Sequence, residues 1–172
     1  MVESDKVRIC VYTGGSFDAS SSCGGWAAVF VVDGEVRYEL AGRFVNTKVN
    51  RMEMWAAIHA LRFWRSSGLV YKRIWLYTDS RYVLDGVERW ANTWRKIDWK
   101  TLSAVKNKDL WTELIRLSRQ CLTSWDYVCG HSGDVGNDRA DTLAGAYRSG
   151  FKLELKQDLD LLHRVLADRV AV

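Results

Sequence analysis

The sequence predicts a single α/β domain: a five-stranded mixed sheet flanked by helices, with an amphipathic helix added at the C-terminus. Three observations carry this. Short β-branched, apolar runs alternate with longer stretches at helical period. Two of the runs are joined by Asp33-Gly34, a hairpin turn signal. The 172 residues, 48% hydrophobic and 27% charged, suit one domain with a sizeable core.

Val7–Thr13 is β-branched and apolar and reads as a central strand. Gly14–Gly25, rich in Gly and Ser, reads as a loop. Trp26–Val32 and Glu35–Val45 form the predicted hairpin. Asn50 opens a helix in which Met52, Trp55, Ala56, Ala60, Phe63 and Trp64 recur at helical spacing to about Ser66, and Gly68 ends it. Arg73–Thr78 is a strand and Ser80–Trp90 a helix. A basic helical stretch over 94–108 and another over about Asn107–Gln120 follow. Trp125–Cys129 is a short strand, Gly130–Gly136 a polar loop, and Asn137–Arg148 a helix. The order β-β-β-α-β-α-α-α-β-α describes a mixed sheet with helices packed on it. Beyond this body, divided here into 1–150 and a 151–172 extension, Leu155, Leu159, Leu162, Leu166 and Val170 share one helical face. That face either packs on its own domain or docks on a protein partner through residues 155–170.

No apolar run approaches the length of a membrane span, and Met1–Lys6 is polar, without the apolar core of a signal peptide. Cys10, Cys23, Cys121 and Cys129 show no C-x-x-C or metal-ligand spacing, so free thiols in a reducing, intracellular compartment are expected. The net charge of +4 is concentrated: residues 94–108 hold Arg95, Lys96, Lys100, Lys106 and Lys108 against Asp98 alone. Trp94 and Trp99 lie within this segment and Trp90 just before it. Cations interleaved with flat rings suit a sugar–phosphate backbone; a solvated basic helix whose tryptophans pack on its own body is the simpler alternative.

Three acids stand in three separate motifs: Glu53 in N-R-M-E, Asp79 in Y-T-D-S, and Asp141 in N-D-R-A-D, ten residues after His131 in G-H-S-G. Each alone has a plain structural reading. Glu53, three residues after Asn50, suits a capping box; Asp79, before a helix, suits an N-cap; Asp141 suits a solvated helix face. Taken together, their order and spacing, with His131 in the loop between, resemble a type 1 ribonuclease H over about residues 7–148. The resemblance implies the ribonuclease H-like fold. It also implies cleavage of the RNA strand of RNA–DNA hybrids by two Mg²⁺ (or Mn²⁺) ions held by four carboxylates. Two such ions supply a nucleophilic hydroxide and neutralise the leaving oxygen, and Mg²⁺ takes oxygen ligands. Glu53, Asp79 and Asp141 are then the metal ligands, and His131 the mobile histidine of proton transfer or product release, a task its near-neutral titration suits.

The pattern breaks at the first ligand. Where the family has T-D-G-S, this chain has Thr13-Gly14-Gly15-Ser16. Gly14 offers no carboxylate, and Asp18 lies four residues beyond it. Lys48, Val49 and Asn50 replace the polar triplet that binds a DNA phosphate and reads 2′-hydroxyls; Lys48 and Asn50 retain that capacity, whereas the Val49 side chain does not. Cys129 stands where a lysine is common. Trp90 and Trp94 match the family's DNA-strand channel, Arg95, Lys96, Trp99 and Lys100 its basic protrusion, and Asn107 a phosphate-contacting asparagine. The resemblance therefore implies a protein that binds RNA–DNA hybrid or double-stranded nucleic acid, with hydrolysis lost or strongly impaired and metal binding weakened. The alternative is a non-catalytic structural subunit of a larger ribonucleoprotein assembly.

Overall fold

The computed structural model describes residues 7–93, 105–130 and 132–167. Five strands, β1 (Ile9–Asp18), β2 (Cys23–Val32), β3 (Glu35–Phe44), β4 (Ile74–Thr78) and β5 (Thr123–Tyr127), form one sheet in the order β3-β2-β1-β4-β5. The described helices are α1 (Val49–Ser66), α2 (Arg81–Thr93), α3 (Lys108–Gln120), α4 (Val135–Arg148) and α5 (Leu159–Ala167). The basic helix expected over 94–108 falls largely on residues 94–104, outside the described residues. β1, β2 and β3 are antiparallel neighbours, while β1, β4 and β5 run parallel. Thr13 stands opposite Thr78, and Thr78 opposite Tyr127, so the C-terminal ends of β4 and β5 finish level with the middle of β1.

β2 is buried along its whole length, because α1 covers one face of the sheet and α4 the other. This is why its sequence is a continuous apolar run rather than an alternating one. The larger core, on the α1 face, joins Phe30, Ile58, Leu61, Trp64, Leu76 and Leu114. Asp33 and Gly34, both at positive φ (55° and 76°), make the β2–β3 turn that Asp-Gly predicts.

The first hairpin departs from the sequence reading. Gly14–Gly25 is not a loop: β1 continues to Asp18 and β2 starts at Cys23, with Gly14 opposite Ala27 and Asp18 opposite Cys23. The glycines mark close approach of backbones. A Cβ on Gly15 would stand 2.6 Å from the Glu53 backbone nitrogen, and one on Gly25 would overlap the Ala144 carbonyl. Other boundaries shift modestly. β5 is Thr123–Tyr127 rather than Trp125–Cys129. α4 begins two residues early because the Asp134 carboxylate accepts the Gly136 and Asn137 N–H groups at 3.0 and 3.2 Å.

The C-terminal segment is tied to the same domain. Its helix starts at Leu159, not Leu155. Before it, the chain follows the edge strand β3: the Glu39 N–H donates to Lys156 O (2.7 Å) and Gln157 Nε2 to Glu39 O (3.1 Å), which covers a sheet edge. Leu162 and Leu166 are completely buried in the main core, and His163 Nε2 lies 2.7 Å from Ser67 O. Of the two readings of the apolar face over 155–170, packing on its own domain is the one its described residues Leu162 and Leu166 follow; Val170 lies outside the described residues.

One ion pair joins these parts. Glu39 on β3 is 1% exposed and accepts Arg139 Nε at 2.6 Å, Arg139 Nη2 at 3.2 Å and the Lys156 N–H at 2.9 Å. Burial alone would raise its carboxyl pKa, but Arg139 and the Lys156 N–H outweigh it and hold the carboxyl below the usual range. Removing one partner of a buried pair costs ~3–5 kcal/mol; Arg139 keeps a third of its side chain exposed, so Glu39→Ala should cost about 2–4 kcal/mol in urea unfolding. Because the folded pKa is depressed, this stabilisation is present above the unfolded value and disappears as pH falls through the folded one. The gap between parent and variant should therefore close in acid; a gap unchanged from neutral pH to pH 3 would exclude the pair as its source. Leu162→Ala should cost about 2–5 kcal/mol if the tail belongs to this core, and close to nothing if it docks elsewhere.

Candidate acidic site at the ends of the parallel strands

The described candidate acids come from three elements. Gly14 lies just beyond the β1–β4 pairing, and Asp79 is the residue that follows β4. Glu53 lies in the second turn of α1, and Asp141 midway along α4. The two helices flank β1 from opposite sides, and its two glycines register them. The Gly14 position faces Asp141: a Cβ there would stand 3.3 Å from Asp141 Oδ1. The Gly15 position faces Glu53, with a Cβ 3.0 Å from its Cδ. Asp79 leans toward the loop after β5, where a Cβ on Gly130 would stand 3.0 Å from Asp79 Oδ2.

Neither capping alternative holds. The N-terminus of α1 has no side-chain cap, and Glu53 is 8% exposed with Oε2 buried and unpartnered. The α2 N-terminus is capped by Ser80, whose Oγ accepts the Val83 N–H at 3.3 Å. The Glu53 pKa is raised well above the ordinary carboxyl value, first by burial, then by the negative charges of Asp79 and Asp141; the Gly15 N–H hydrogen bond opposes this. Glu53 thus lies within electrostatic reach of both Asp79 and Asp141.

Asp18 does not fill the place of the missing acid. It sits at the far end of β1, where Ser20 and Ser21 hydroxyls donate to it at 2.8 Å, four residues or about 13 Å from Gly14 at strand rise. Lys48 is the N-cap residue of α1, with Nζ 5.8 Å from the Phe17 ring centroid. Asn50 is half-buried in the first turn of α1. Asn107 stands at the N-cap position of α3 in the left-handed region without a side-chain cap bond; its amide donates to Tyr82 Oη at 2.9 Å and accepts Arg51 Nη1 at 3.2 Å. His131, Trp94, Arg95, Lys96, Trp99 and Lys100, and the side chain of Trp90, lie outside the described residues.

Two residues escaped the sequence reading. Asn137, one helical turn before Asp141, is completely buried with both amide atoms unpartnered. Its position four residues before the acid was the available signal. Arg81, two residues after Asp79, holds its guanidinium 4.1 Å from the Tyr127 ring centroid; only its nearness to Asp79 in sequence could have marked it.

Three carboxylates, one with an orphaned buried oxygen, suit a hard divalent cation in donor chemistry. They fall one short of the four carboxylates that the sequence resemblance implies. Position 14 supplies no oxygen, and among the described residues no three Asp, Glu, His or Cys side chains converge to seat an ion.

The RNase H family model matches residues 6–149. Ribonuclease H of Cyanothece sp. (strain PCC 7425 / ATCC 29141) is 42% identical over 154 residues, spanning 88% of this chain and 96% of that protein. In fold, the chain is similar to the crystal structure of LC9-RNase H1, a type 1 RNase H with the type 2 active-site motif. There the TM-score is 0.72 at 23% identity, over 95% of this chain and 85% of that one. It is also similar to LC11-RNase H1 in complex with RNA/DNA hybrid, with a TM-score of 0.62 at 18% identity, over 83% and 98%.

The electrostatic coupling generates a test. Glu53→Gln removes the buried charge and leaves the shape, so the variant should melt higher than the parent at neutral pH. In a domain of this size each kcal/mol relieved is worth roughly 2–4 °C. Since the folded pKa of Glu53 is raised, the parent regains stability as pH falls through that value, and the advantage of the variant should vanish near pH 4. A destabilised variant at pH 7 would mean that the three acids do not repel one another.

Proposed function

The chain belongs to the RNase H family, and from that premise we propose that it binds RNA–DNA hybrid or double-stranded nucleic acid while its hydrolysis of the RNA strand is lost or strongly impaired. One observation carries the reading. A side chain at position 14 would face Asp141, its Cβ 3.3 Å from Oδ1, and glycine supplies no carboxylate there, which supports the reading. A metal-assisted displacement draws its rate from positioned charge, and one misplaced or absent group costs roughly 10²–10³-fold.

The chain's own groups account for binding without cutting. Lys48 stands exposed at the head of α1 and offers a phosphate contact. The basic stretch Arg95, Lys96 and Lys100, with Trp90, Trp94 and Trp99, offers backbone charge and stacking. Recognition through phosphates and 2′-hydroxyls is tolerant of sequence and sensitive to salt. Glu53, Asp79 and Asp141 are proposed as the remaining metal ligands and His131 as the proton-handling residue. Mg²⁺ or Mn²⁺ supplies the hydrolytic chemistry in a completed site. The structural-subunit alternative gains nothing from the tail, whose Leu162 and Leu166 are packed into the core.

Gly14→Asp is the direct test. Position 14 is regular strand outside the left-handed region, and its closest new contact is the flexible end of Asp141, so the variant should fold. Divalent-dependent cleavage of the RNA strand of a labelled hybrid should appear in it at roughly 10²–10³ times the parent's rate or more. Full cleavage by the parent would overturn the proposed impairment; no cleavage by either would mean that Val49, Cys129 and their neighbours have dismantled the substrate site as well. Lys96→Ala with Lys100→Ala should weaken parent binding and lower its salt slope by about 1–2.

A further inference from the structure

One half of the sheet has a face that no described helix covers. α4 packs on β1, β2 and β3, and the buried residues of α1, α2, α3 and α5 join the core on the opposite side. On the bare side, alternation along β4 turns Trp75 and Tyr77 outward while Ile74, Leu76 and Thr78 point into the core. Both rings are half-buried, yet neither belongs to a hydrophobic cluster. Their neighbours are specific. Tyr12, paired with Tyr77 in register, stacks on it at 5.1 Å and 17°. The Arg8 guanidinium stands 4.8 Å from the Trp75 ring centroid and 5.9 Å from that of Tyr77. Arg73 reaches across to Ser124 Oγ at 3.1 Å.

We propose that this face is a stacking platform for a single-stranded nucleic-acid segment that leaves the acidic site. Three features favour that occupant. Flat rings interleaved with guanidinium groups match the chemistry of a strand: every base offers a π-face, and arginine adds cation–π and phosphate contacts. The platform is continuous with the acidic site, since Tyr77 precedes Asp79, and Tyr12 precedes Gly14, by two residues each. Trp75 lies four residues from Asp79, about 13 Å at strand rise, within reach of about four stacked nucleotides at ~3.4 Å each. The charges are also graded. Arg8 and Arg73 stand at the end away from the acids, whereas Asp126 and Asp134 flank the end near them. The two arginines therefore hold the phosphates of the nucleotides farthest from the acids, while the bases stack along the rings.

The inference rests on the proposed binding of hybrid at the acidic site, and the test keeps the two apart. Fluorescence anisotropy would compare a blunt hybrid with the same hybrid carrying an overhang of about six nucleotides on either end in turn. The parent should bind one of the overhung hybrids about tenfold tighter than the blunt one, the worth of roughly one stacked base. Arg8→Ala with Trp75→Leu should abolish that gain and leave blunt-hybrid affinity unchanged. Should the double variant fail to fold by circular dichroism, the exposed substitution Arg8→Glu alone must remove most of the gain. No gain in the parent, or a gain that survives the variants, overturns the platform. So does a concentration-dependent dimer that Trp75→Leu dissolves, which would give the face to a second copy of the chain. If the blunt hybrid does not bind, the proposed function fails on its own account. A free single strand measured against the same variants then still decides the platform.

Discussion

The constraint on which the rest depends is the close approach of two helix backbones to the first hairpin. α1 and α4 press on β1 and β2 from opposite faces, and they do so at Gly15 and Gly25, where a Cβ would strike the Glu53 nitrogen or the Ala144 carbonyl. That approach brings Glu53 to one side of β1 and Asp141 to the other. The parallel pairing of β1 with β4 then brings Asp79 beside them. Asp79 and Asp141, far from Glu53 in sequence, come within electrostatic reach of it because the glycines let both helices close on the sheet at this point. Lengthening either glycine by one carbon would push a helix, and its acid, away from the strand.

Such a site is electrostatically costly, and the surrounding structure offsets the cost. Glu53 keeps an unpartnered buried oxygen and Asn137 two unpartnered amide atoms, each a departure from the rule that buried polar groups are paired. Both lie on the helices that frame the acids. α4 is held firmly against this tension. Asp134 caps its first turn and accepts the Tyr12 hydroxyl at 3.2 Å, Gly136 lies flat on the Tyr12 ring, and Arg139 is locked to Glu39 and to the Glu154 carbonyl. The C-terminal segment takes part in the same clamp through Lys156. The tail therefore bears on the position of Asp141, although it lies outside the family match.

Much of this was legible in the sequence, and the misses share a cause. Strand and helix identities followed from periodicity, and Asp33-Gly34 from turn chemistry, because those signals are local. The glycine-rich stretch after Thr13 misled because glycine has two uses, loop freedom and close approach, and only the packing partners tell them apart. The same ambiguity hid the true length of β1. The tail's apolar face was visible at Leu162 and Leu166, but its partner, the core under β3, is a tertiary fact. For the candidate site, motif spacing singled out the three acids, whereas Asn137 and Arg81 are ordinary residue types whose peculiarity lies in burial and in a facing ring.

Gly14 differs in kind from the glycines around it. Gly15 and Gly25 are demanded by the backbone that faces them. Gly14 has no such demand: its φ is ordinary, its neighbour across the strand is Ala27, and a Cβ there meets only a side-chain oxygen and the edge of Ala140 at 3.3–3.5 Å. Packing therefore does not explain its lack of a side chain, and a glycine inside a strand weakens it by roughly 0.5–1 kcal/mol relative to alanine. Electrostatics points the other way. A fourth carboxylate at position 14 would face Asp141 directly and add to the repulsion already felt at Glu53, a burden that a chain cutting nucleic acid carries for its metal ions and one that only binds it need not. The absence of a side chain at 14 lowers the charge at the point where the acids crowd most and leaves the glycines that shape the site untouched. That combination is what the proposed loss of hydrolysis would leave at position 14.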